Sequence, residues 1–485
     1  MSIVRARAAT VGSSSTNIIV AVLAFAGIVV ALMQTLVIPL IPQLPALLDT
    51  SASNTAWVVT ATLLAGAVAV PVMGRLGDMY GKRRLLLLGL ALLVTGSIIG
   101  ALSSSIVPLV VGRSLQGLAA GVIPLGISVM RDVLPVDKLA GSVAMMSASL
   151  GVGGALGLPA AALIAEYANW HFLFWMSAAL GVVVIGLVLA TVPESEVRTG
   201  GSFDLPGAAS LSAALVTLLL AISKGSSWGW SSTLTLAMLA ASVAAFIFWT
   251  WWELRTPLPL VDIRVTTGRQ VLFTNLASIS IGFALFAMSL VFPQVLQLPD
   301  TIGYGLGQSI LAAGLVMAPS GVIMMLVAPV SARITTSKGP KTTLMMGALV
   351  IAAGYLIGVV TLSAVWQLVV ISMVIGAGIG LAYGAMPALI MGAVPPSETG
   401  AANSFNTLMR SLGTSFASAV AGVILAQMTI STGGTPVPSE GAFHVTMAVA
   451  AGAAVVAFVL AACIPRFEKQ GSTTVGTAES AAVAH

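Results

Sequence analysis

Long apolar stretches separated by short polar segments run along almost the whole chain. A helix that crosses a bilayer needs roughly 20 predominantly apolar residues, and fourteen stretches reach about that length. They lie at residues 18–41, 55–73, 85–103, 107–130, 140–165, 171–192, 205–223, 232–252, 271–296, 306–330, 342–362, 365–391, 401–427 and 443–464. The pattern therefore predicts an all-α integral membrane protein with fourteen transmembrane helices. The first apolar stretch is too long for a signal peptide and lacks a small-residue cleavage site, so we interpret it as the first span.

Composition agrees with this prediction and excludes several classes of protein. Charged residues make up 7% of the chain and hydrophobic residues 58%, whereas a soluble domain is about a quarter charged. A soluble enzyme and a nucleic-acid-binding protein are therefore excluded. One cysteine and three scattered histidines offer neither a disulfide nor a metal cluster. We expect no metal, no cofactor and no nucleic-acid partner.

The positive charges predict the orientation of the chain. When successive loops are assigned alternately to two sides, 17 of the 20 Lys and Arg residues fall on one side and only Lys224 on the other. The remaining two, Arg113 and Arg410, lie inside predicted spans. Because cytoplasmic loops carry the positive excess, we expect an even number of spans and both termini in the cytoplasm.

Two pairs of segments indicate an internal repeat. Residues 36–45 resemble 290–299 at an offset of 254, and residues 71–81 resemble 329–339 at an offset of 258. Repeated halves are a transporter architecture, in which substrate is handled between the halves near mid-bilayer. The predicted domains are a cytoplasmic N-terminal tail at 1–17, a six-helix half at 18–192, a linker with two extra transmembrane helices at 193–270, a second six-helix half at 271–465 and a cytoplasmic C-terminal tail at 466–485.

The loop after the second span carries the most specific motif. Residues 74–84 read G-R-L-G-D-M-Y-G-K-R-R and resemble the G-x-L-x-D-x-x-G-[RK]-[RK] loop of the major facilitator superfamily. The resemblance implies a latch that closes the cytoplasmic side. Glycines permit a tight turn, and Asp78 can accept bonds from Arg75 or cap a helix of the other half. The predicted latch residues are Gly74, Arg75, Asp78, Gly81, Lys82 and Arg83.

The fourth span contains a charged residue that is expensive to bury. Residues 113–117 read R-S-L-Q-G and resemble the R-x-x-x-G motif of the same superfamily, where the arginine modulates protonation of a nearby carboxylate. Burial of an arginine in a membrane indicates function, and the alternative is snorkelling to the outer interface. The predicted coupling and translocation residues are Arg113, Gln116, Gly117 and Glu166.

Further motifs resemble the fourteen-span drug/proton antiporter branch of the superfamily. In the fifth span Gly153, Gly157 and Pro159 stand near the positions of the antiporter motif, but Leu158 separates the last glycine from the proline. We therefore expect the helix bend and the close packing without the literal signature. Residues 257–264 and 376–413 resemble the same branch. The resemblance covers residues 18–465 and implies a multidrug efflux protein that confers antibiotic resistance.

One departure from the family leaves the mechanism open. Met33 stands where the family usually has an aspartate in the first span, and all 15 acidic residues lie in loops or at span ends. A proton antiporter needs a group that binds and releases a proton. Either Glu166 at the outer end of the fifth span is that group, or the protein is not a proton antiporter in the usual way. Alternatively, the two buried arginines receive an anionic substrate or a lipid headgroup.

We predict an amphipathic substrate cavity and transport by alternating access. The candidate cavity residues are Met33, Gln34, Thr35, Trp57, Asn275, Gln294, Asn403, Asn406 and Arg410, and the 21 methionines suit an adaptable surface. No G-x-x-x-x-G-K-[ST] loop for ATP is present. The protein is expected to be a monomeric secondary transporter, not an enzyme, that lies in the cytoplasmic membrane and exports amphipathic drugs or small metabolites in exchange for protons. The alternative is a transporter of lipids or anionic metabolites without proton coupling.

Overall fold

A computed structural model describes residues 13–40, 43–432 and 435–465. In these ranges fourteen helices are long and apolar enough to cross a membrane, which confirms the predicted number of spans. They are α1 (Ser13–Thr35), α2 (Trp57–Tyr80), α3 (Lys82–Leu102), α4 (Ile106–Val133), α5 (Val136–Tyr167), α6 (His171–Thr191), α7 (Leu205–Trp228), α8 (Thr233–Glu253), α9 (Arg269–Gln297), α10 (Ile310–Lys338), α11 (Pro340–Val360), α12 (Val365–Met391), α13 (Thr399–Gln427) and α14 (Glu440–Ala462). The predicted tails at 1–17 and 466–485 lie largely outside the described residues.

Two helices are interrupted, and a few short elements join the others. In α4, a 3-10 turn at Ala119–Gly121 separates Ile106–Leu118 from Val122–Val133. In α10, Ile310–Leu326 is followed by Ala328–Lys338. The strands β1 (Thr429–Thr432) and β2 (Thr435–Pro438) form an antiparallel hairpin between α13 and α14. The short helices are Leu44–Leu47, Ala52–Thr55 and Ile263–Thr266, and the other 3-10 turns are Ile38–Leu40, Asp300–Ile302 and Pro396–Glu398.

The sequence predicted a loop for the latch motif, but most of the motif is helical. The second span was predicted to end at residue 73, but α2 continues to Tyr80, so Gly74, Arg75 and Asp78 lie on a helix. Only Gly81 turns the chain, with φ of +119°, a conformation that favours glycine. A Cβ on Gly74 would lie 2.3 Å from Ser404 Oγ. Gly74 therefore permits close packing against α13, and Gly81 alone makes the turn.

The two six-helix halves repeat the same helix contacts. In the first half α1 packs against α5, and in the second half α9 packs against α13. Gly339 ends α10 with φ of +87°, just as its repeat counterpart Gly81 ends α2 with a positive φ. The halves meet at two places, which we call the α2–α13 interface and the α5–α10 interface. The repeat detected in the sequence is therefore visible in the packing.

Small residues bring the helices close together at the α5–α10 interface. A Cβ on Gly321 would lie 2.5 Å from the carbonyl oxygen of Gly151, and one on Gly314 would lie 3.1 Å from the nitrogen of Pro159. The two glycines of the predicted bend motif face α1. A Cβ on Gly153 would lie 2.5 Å from the carbonyl oxygen of Ile28. Gly157 likewise packs against α1, at Thr35. Helices of membrane proteins commonly associate through such small residues.

The two extra helices cover the α2–α13 interface. Helix α7 packs against both α2 and α13, and α8 lies outside α7. The ring of Trp249 in α8 stacks on Phe405 of α13 with centroids 6.3 Å apart. A buried apolar cluster joins these helices; it contains Ala67, Ala208, Leu211, Leu215, Leu219, Trp249, Leu260, Val261, Phe405, Leu408 and Leu412. The two helices are therefore packed against one of the two interfaces between the halves.

Candidate functional site

Asp78 holds the two halves together at the side that we predict to be cytoplasmic. Its Oδ1 accepts a hydrogen bond from the backbone N–H of Gly400 at 3.0 Å, and its Oδ2 accepts one from Ala401 at 2.8 Å. Gly400 and Ala401 belong to the first turn of α13, where unpaired amides and the helix dipole favour a negative charge. Asp78 thus caps a helix of the opposite half, one of the two roles that the sequence left open.

Lys82 links this cap to the neighbouring helix. Its Nζ lies 2.6 Å from Asp132 Oδ2 and 3.5 Å from Asp78 Oδ1, and both Lys82 and Asp78 are fully buried. Arg75 is also buried, but its Nε has no hydrogen-bond partner among the described residues. The cation that faces Asp78 is therefore Lys82 and not Arg75.

A second contact between the halves involves Arg131, which the sequence did not single out. Arg131 lies near the end of α4 and donates to the hydroxyl of Thr399 and, at 3.0 Å, to the carbonyl oxygen of Val394. Thr399 is the first residue of α13. The start of α13 is therefore held from two helices of the first half, α2 through Asp78 and α4 through Arg131.

The segment that leads from α6 to α7 runs over the same contacts. Thr199 N donates to the backbone oxygen of Asp78 at 2.9 Å. The hydroxyl of Ser195 donates to Asp132 Oδ2, and Glu194 Oε1 accepts from the backbone N–H of Arg83 at 3.3 Å. Arg83 also donates to Leu189 O at 2.7 Å. The chain that enters the extra helices is thus tied to the end of α2 and the start of α3.

Arg113 is buried and bound to backbone carbonyl groups. Its Nη1 donates to Met33 O at 2.8 Å and to Gln116 Oε1 at 2.8 Å, and its Nε donates to Val58 O at 3.4 Å. Gln116 in turn donates to Ser97 Oγ at 2.8 Å. Since Arg113 is 2% exposed, the side chain does not snorkel to the outer interface. It joins α1, α2, α3 and α4 of the first half.

Gly117 permits this arrangement, and Glu166 cannot be placed in it. A Cβ on Gly117 would lie 2.3 Å from the carbonyl oxygen of Thr62, so a side chain there would push α4 away from α2.

The side chain of Glu166 lies outside the described part of the structure. Among the described residues, Arg113 forms no ion pair with a carboxylate.

The sequence suggested that Arg410 receives an anionic substrate or a lipid headgroup, but in the structure it contacts an aromatic ring and a hydroxyl group. Its guanidinium lies over the ring of Tyr383, 4.6 Å from the centroid, and donates to Thr407 Oγ1 at 3.4 Å. Asn406, one turn away on the same helix, donates to Asn275 Oδ1 at 2.9 Å and to Ser278 Oγ at 2.7 Å. A cation over an aromatic face is attracted by the ring. Arg410 is therefore stabilised without a carboxylate.

The candidate cavity residues are divided among several environments. Asn275, Asn403 and Asn406 are buried, and Asn403 donates to Thr399 O within α13 at 3.1 Å. Gln294 donates to Leu290 O of its own helix at 3.0 Å. Trp57 lies under Lys224, whose Nζ is 4.9 Å from the ring centroid. The other three occupy the end of α1: Met33 is buried, Thr35 is half-buried and Gln34 is exposed.

A groove opens at the predicted cytoplasmic end of the α5–α10 interface. It has a volume of 610 Å³ and lies among the ends of α1, α5 and α10. Its lining includes Asn17, Asp137, Lys138, Arg333 and Thr336. Among the residues that the structure describes, no hydrogen bond or ion pair joins α5 to α10. This end is thus wetter and less tightly held than the end closed by Asp78.

Comparison with known proteins settles the family. A profile described as Major Facilitator Superfamily matches residues 23–418, and a second, overlapping match covers residues 277–483. The chain belongs to the major facilitator superfamily. Together with the fourteen span-length helices among the described residues, membership of this superfamily identifies the chain as a multi-pass membrane protein.

Relatives in the superfamily include exporters. The chain is 31% identical over 409 residues to the tetracenomycin C resistance and export protein of Streptomyces glaucescens, which covers 82% of this chain and 73% of the relative. It is 25% identical to multidrug resistance protein 3 of Bacillus subtilis over 76% of this chain and 72% of that protein. It is 27% identical to an uncharacterized transporter of this superfamily from Mycobacterium tuberculosis, over 87% of this chain but only 62% of that relative's length.

Solved structures of the superfamily share the fold. The human organic anion transporter MFSD10 superimposes with a TM-score of 0.65 at 15% identity, over 92% of this chain and 99% of that one. The proton:xylose symporter XylE superimposes with a TM-score of 0.63 at 15% identity, over 94% and 97% of the two chains. At this identity the likeness establishes the fold alone.

Proposed function

We propose that this superfamily transporter exports amphipathic small molecules across the cytoplasmic membrane in exchange for protons. The observation that carries the proposal is the cap that Asp78 forms on Gly400 and Ala401 of the opposite half. A contact of this kind has to break before the cytoplasmic side can open, which alternating access requires. The export of tetracenomycin C by a relative that is 31% identical supports an amphipathic substrate.

The interior of the protein fits such a substrate better than a strongly charged one. Arg113 is occupied by carbonyl oxygens and Arg410 by an aromatic ring, so neither arginine needs a substrate anion for compensation. A buried cation that already has partners contributes little to the binding of a further anion. The substrate class that follows is apolar or weakly basic.

The test uses purified protein in proteoliposomes loaded with ethidium, a lipophilic cation, and in parallel with tetracenomycin C. A pH gradient is imposed and then collapsed. We expect movement of both compounds to follow the gradient and to fall about tenfold or more in Asp78→Asn, because a buried charge-assisted contact of a few kcal/mol is lost. Asp300→Asn, which changes an exposed carboxylate in the loop between α9 and α10, is the control. Transport that ignores the gradient would refute proton exchange, and no transport of either compound would refute the substrate class.

The groove supports a second candidate, a transporter of anionic amphiphiles or lipids. Lys138 and Arg333 line it where α5 and α10 separate, and basic groups at this level of a membrane attract anionic headgroups. Arg113 and Arg410, which the sequence had associated with this function, lie elsewhere. Movement of a fluorescent anionic phospholipid between leaflets, lost in Lys138→Gln with Arg333→Gln and absent for ethidium, would favour this candidate.

A further inference from the structure

Two carboxyl groups are buried side by side at the ends of the extra helices. Asp204 precedes α7, and its Oδ1 accepts hydrogen bonds from Gly207 N at 3.0 Å and from Trp252 Nε1 at 2.9 Å. Glu253 is the last residue of α8, and its Oε1 accepts from Trp249 Nε1 at 2.8 Å. Asp204 is 7% exposed and Glu253 is 3% exposed. Both lie at the end of the helix pair that we predict to be cytoplasmic.

The two carboxyl groups face one another. A Cβ on Gly207 would lie 2.1 Å from Asp204 Oδ2 and 2.9 Å from Glu253 Oε1. Asp204 Oδ2 and Glu253 Oε1 are therefore no further apart than the sum of those two distances. Among the described residues, Asp204 Oδ2 and Glu253 Oε2 have no hydrogen-bond partner. Each carboxyl thus has one satisfied oxygen and one unsatisfied oxygen.

No cation in the described surroundings neutralises the pair. Arg255 lies over the ring of Trp251, 4.4 Å from its centroid, and Arg264 donates to Leu254 O at 3.0 Å. Asp262 accepts from the backbone of the short helix that follows it, and Arg198 on the approaching segment is exposed. The facing sides of α2 and α13 are apolar and contribute Ala67, Phe405, Leu408 and Leu412.

One bound proton addresses both the charge that no cation neutralises and the lack of a hydrogen-bond donor. Two buried carboxylates that share a site repel each other, so one of them stays protonated. A single proton removes one negative charge and supplies a hydroxyl donor among buried oxygens that can otherwise only accept. Asp204 is the better carboxylate of the two, because it caps the N-terminus of α7, where the helix dipole favours a negative charge. Glu253 is then the group that carries the proton.

We infer that Asp204 and Glu253 bind one shared proton in this conformation and release it to the cytoplasmic side when the α2–α13 interface opens. The position of the pair supports this coupling. Trp249, which donates to Glu253, stacks on Phe405 of α13, and Leu260 and Val261 belong to the same buried cluster. The segment that reaches Asp204 begins at the contacts with Asp78 and Asp132. Loss of the proton leaves two negative charges, which push α7 and α8 apart and loosen the cluster on α13.

This inference rests on the alternating-access part of the proposed function, but its test needs no transport. Ser404 is fully buried at the α2–α13 interface beside Gly74, so Ser404→Cys reports opening by its reaction with a membrane-impermeant maleimide in inside-out vesicles. The exposed native Cys463 is replaced by Ser. Labelling is measured across the pH range and corrected for the pH dependence of a small-molecule thiol.

We expect the corrected labelling rate to rise with pH by up to about tenfold per unit, as the loss of a single proton requires. Glu253→Gln mimics the protonated group, so labelling should stay slow at every pH. The control Asp300→Asn, an exposed carboxylate in the loop between α9 and α10, should keep the parent's profile. A flat profile in the parent, or an unchanged profile in Glu253→Gln, would overturn the inference.

A second measurement covers the case in which Glu253→Gln does not fold. In the folded parent protein, the infrared C=O stretching band of a buried carboxylic acid should disappear as pH rises and should be altered by Asp204→Asn. If that band does not titrate, the shared proton is refuted. If the labelling rate and the infrared band both change with pH but ethidium transport does not respond to a pH gradient, the pair is a proton-binding site. The proposal of proton-driven export would then be wrong.

Discussion

The two interfaces between the halves occupy equivalent places in the repeat, yet the ends that we predict to be cytoplasmic are built differently. At the α2–α13 interface a buried aspartate, Asp78, caps the opposite helix, and Arg131 binds the same turn. At the α5–α10 interface the corresponding end opens into a groove of 610 Å³ lined by Lys138 and Arg333. Both interfaces pack small residues deeper in the membrane. The polar contacts of the two interfaces therefore differ mainly at these ends.

A single difference between the repeats accounts for much of this contrast. At the offset of 258 that relates Arg75 to Arg333, Asp78 corresponds to Thr336, which lines the groove. A hydroxyl carries no charge and stabilises a helix N-terminus less than a carboxylate does. The extra helices strengthen the contrast, because they cover only the α2–α13 interface. Closure of the cytoplasmic side is thus concentrated in one of two related places.

Asp78→Asn should have the largest effect, because it removes the charge from the stronger interface. Loss of a buried charge-assisted contact costs about 2–3 kcal/mol, which is about 30- to 150-fold in the ratio of closed to open protein. The labelling rate of Ser404→Cys from the cytoplasmic side should rise accordingly. Asp300→Asn, which changes an exposed carboxylate in the loop between α9 and α10, should leave this rate unchanged. Equal labelling of parent and Asp78→Asn would mean that the cap does not hold the interface closed.

Gly74→Ala and Gly321→Ala test what the two interfaces share. The new methyl would lie 2.7 Å from Gly400 O in the first variant and 2.5 Å from Gly151 O in the second. Backbone atoms cannot move aside easily, so each change should cost about 1–3 kcal/mol through overpacking. We expect a lower melting temperature and roughly tenfold slower transport from both.

Gly154→Ala is the control for this pair, because a Cβ there would have no neighbour within 4 Å. Its melting temperature and transport rate should match those of the parent. If only one of Gly74→Ala and Gly321→Ala lowers the melting temperature and the transport rate, then the two interfaces differ in close helix packing as well as in the charge at their ends.

Thr336→Asp should have the smallest effect, and it makes the weaker interface resemble the stronger one. The new carboxylate would share the groove with Lys138 and Arg333. A partly exposed ion pair contributes about 0.2–1 kcal/mol, so transport should slow by no more than about fivefold through added stability of the closed state. Thr336→Asn, which has a similar shape and no charge, should behave like the parent. Faster transport in Thr336→Asp would contradict the proposed role of charge at these ends.

Much of the fold could be predicted because it depends on local properties of the chain. The spans predicted at 342–362 and 365–391 agree with the structure, in which α11 ends at Val360 and α12 begins at Val365. The prediction failed where a span is amphipathic at its end: α2 continues through Gly74 and Asp78 to Tyr80. Hydropathy alone ends a span at the first polar cluster, although a helix can continue when a neighbouring helix satisfies the polar groups.

The candidate site could be predicted only in part. Arg113, Arg410 and Asp78 were recognisable as charges in unusual places, but their partners were not. The carbonyl oxygens of Met33 and Val58 have no sequence signal, and Tyr383 is a single aromatic residue in an apolar span. Asp204 and Glu253 looked like ordinary acids at span ends, because only folding brings them together under Trp249 and Trp252.

The sequence by itself determined the number of spans, and it predicted the repeated halves and the side that carries the positive loops. These follow from the length of apolar runs and from charge counts, and both are properties of neighbouring residues. Only the tertiary structure decided which charges meet. Asp78 and the amide of Gly400 are 322 residues apart in the chain, and Asp204 and Glu253 meet only because α7 and α8 return to the same level of the membrane. Burial then fixes the chemistry, because a charge removed from water has to find its partner among the residues that packing brings to it.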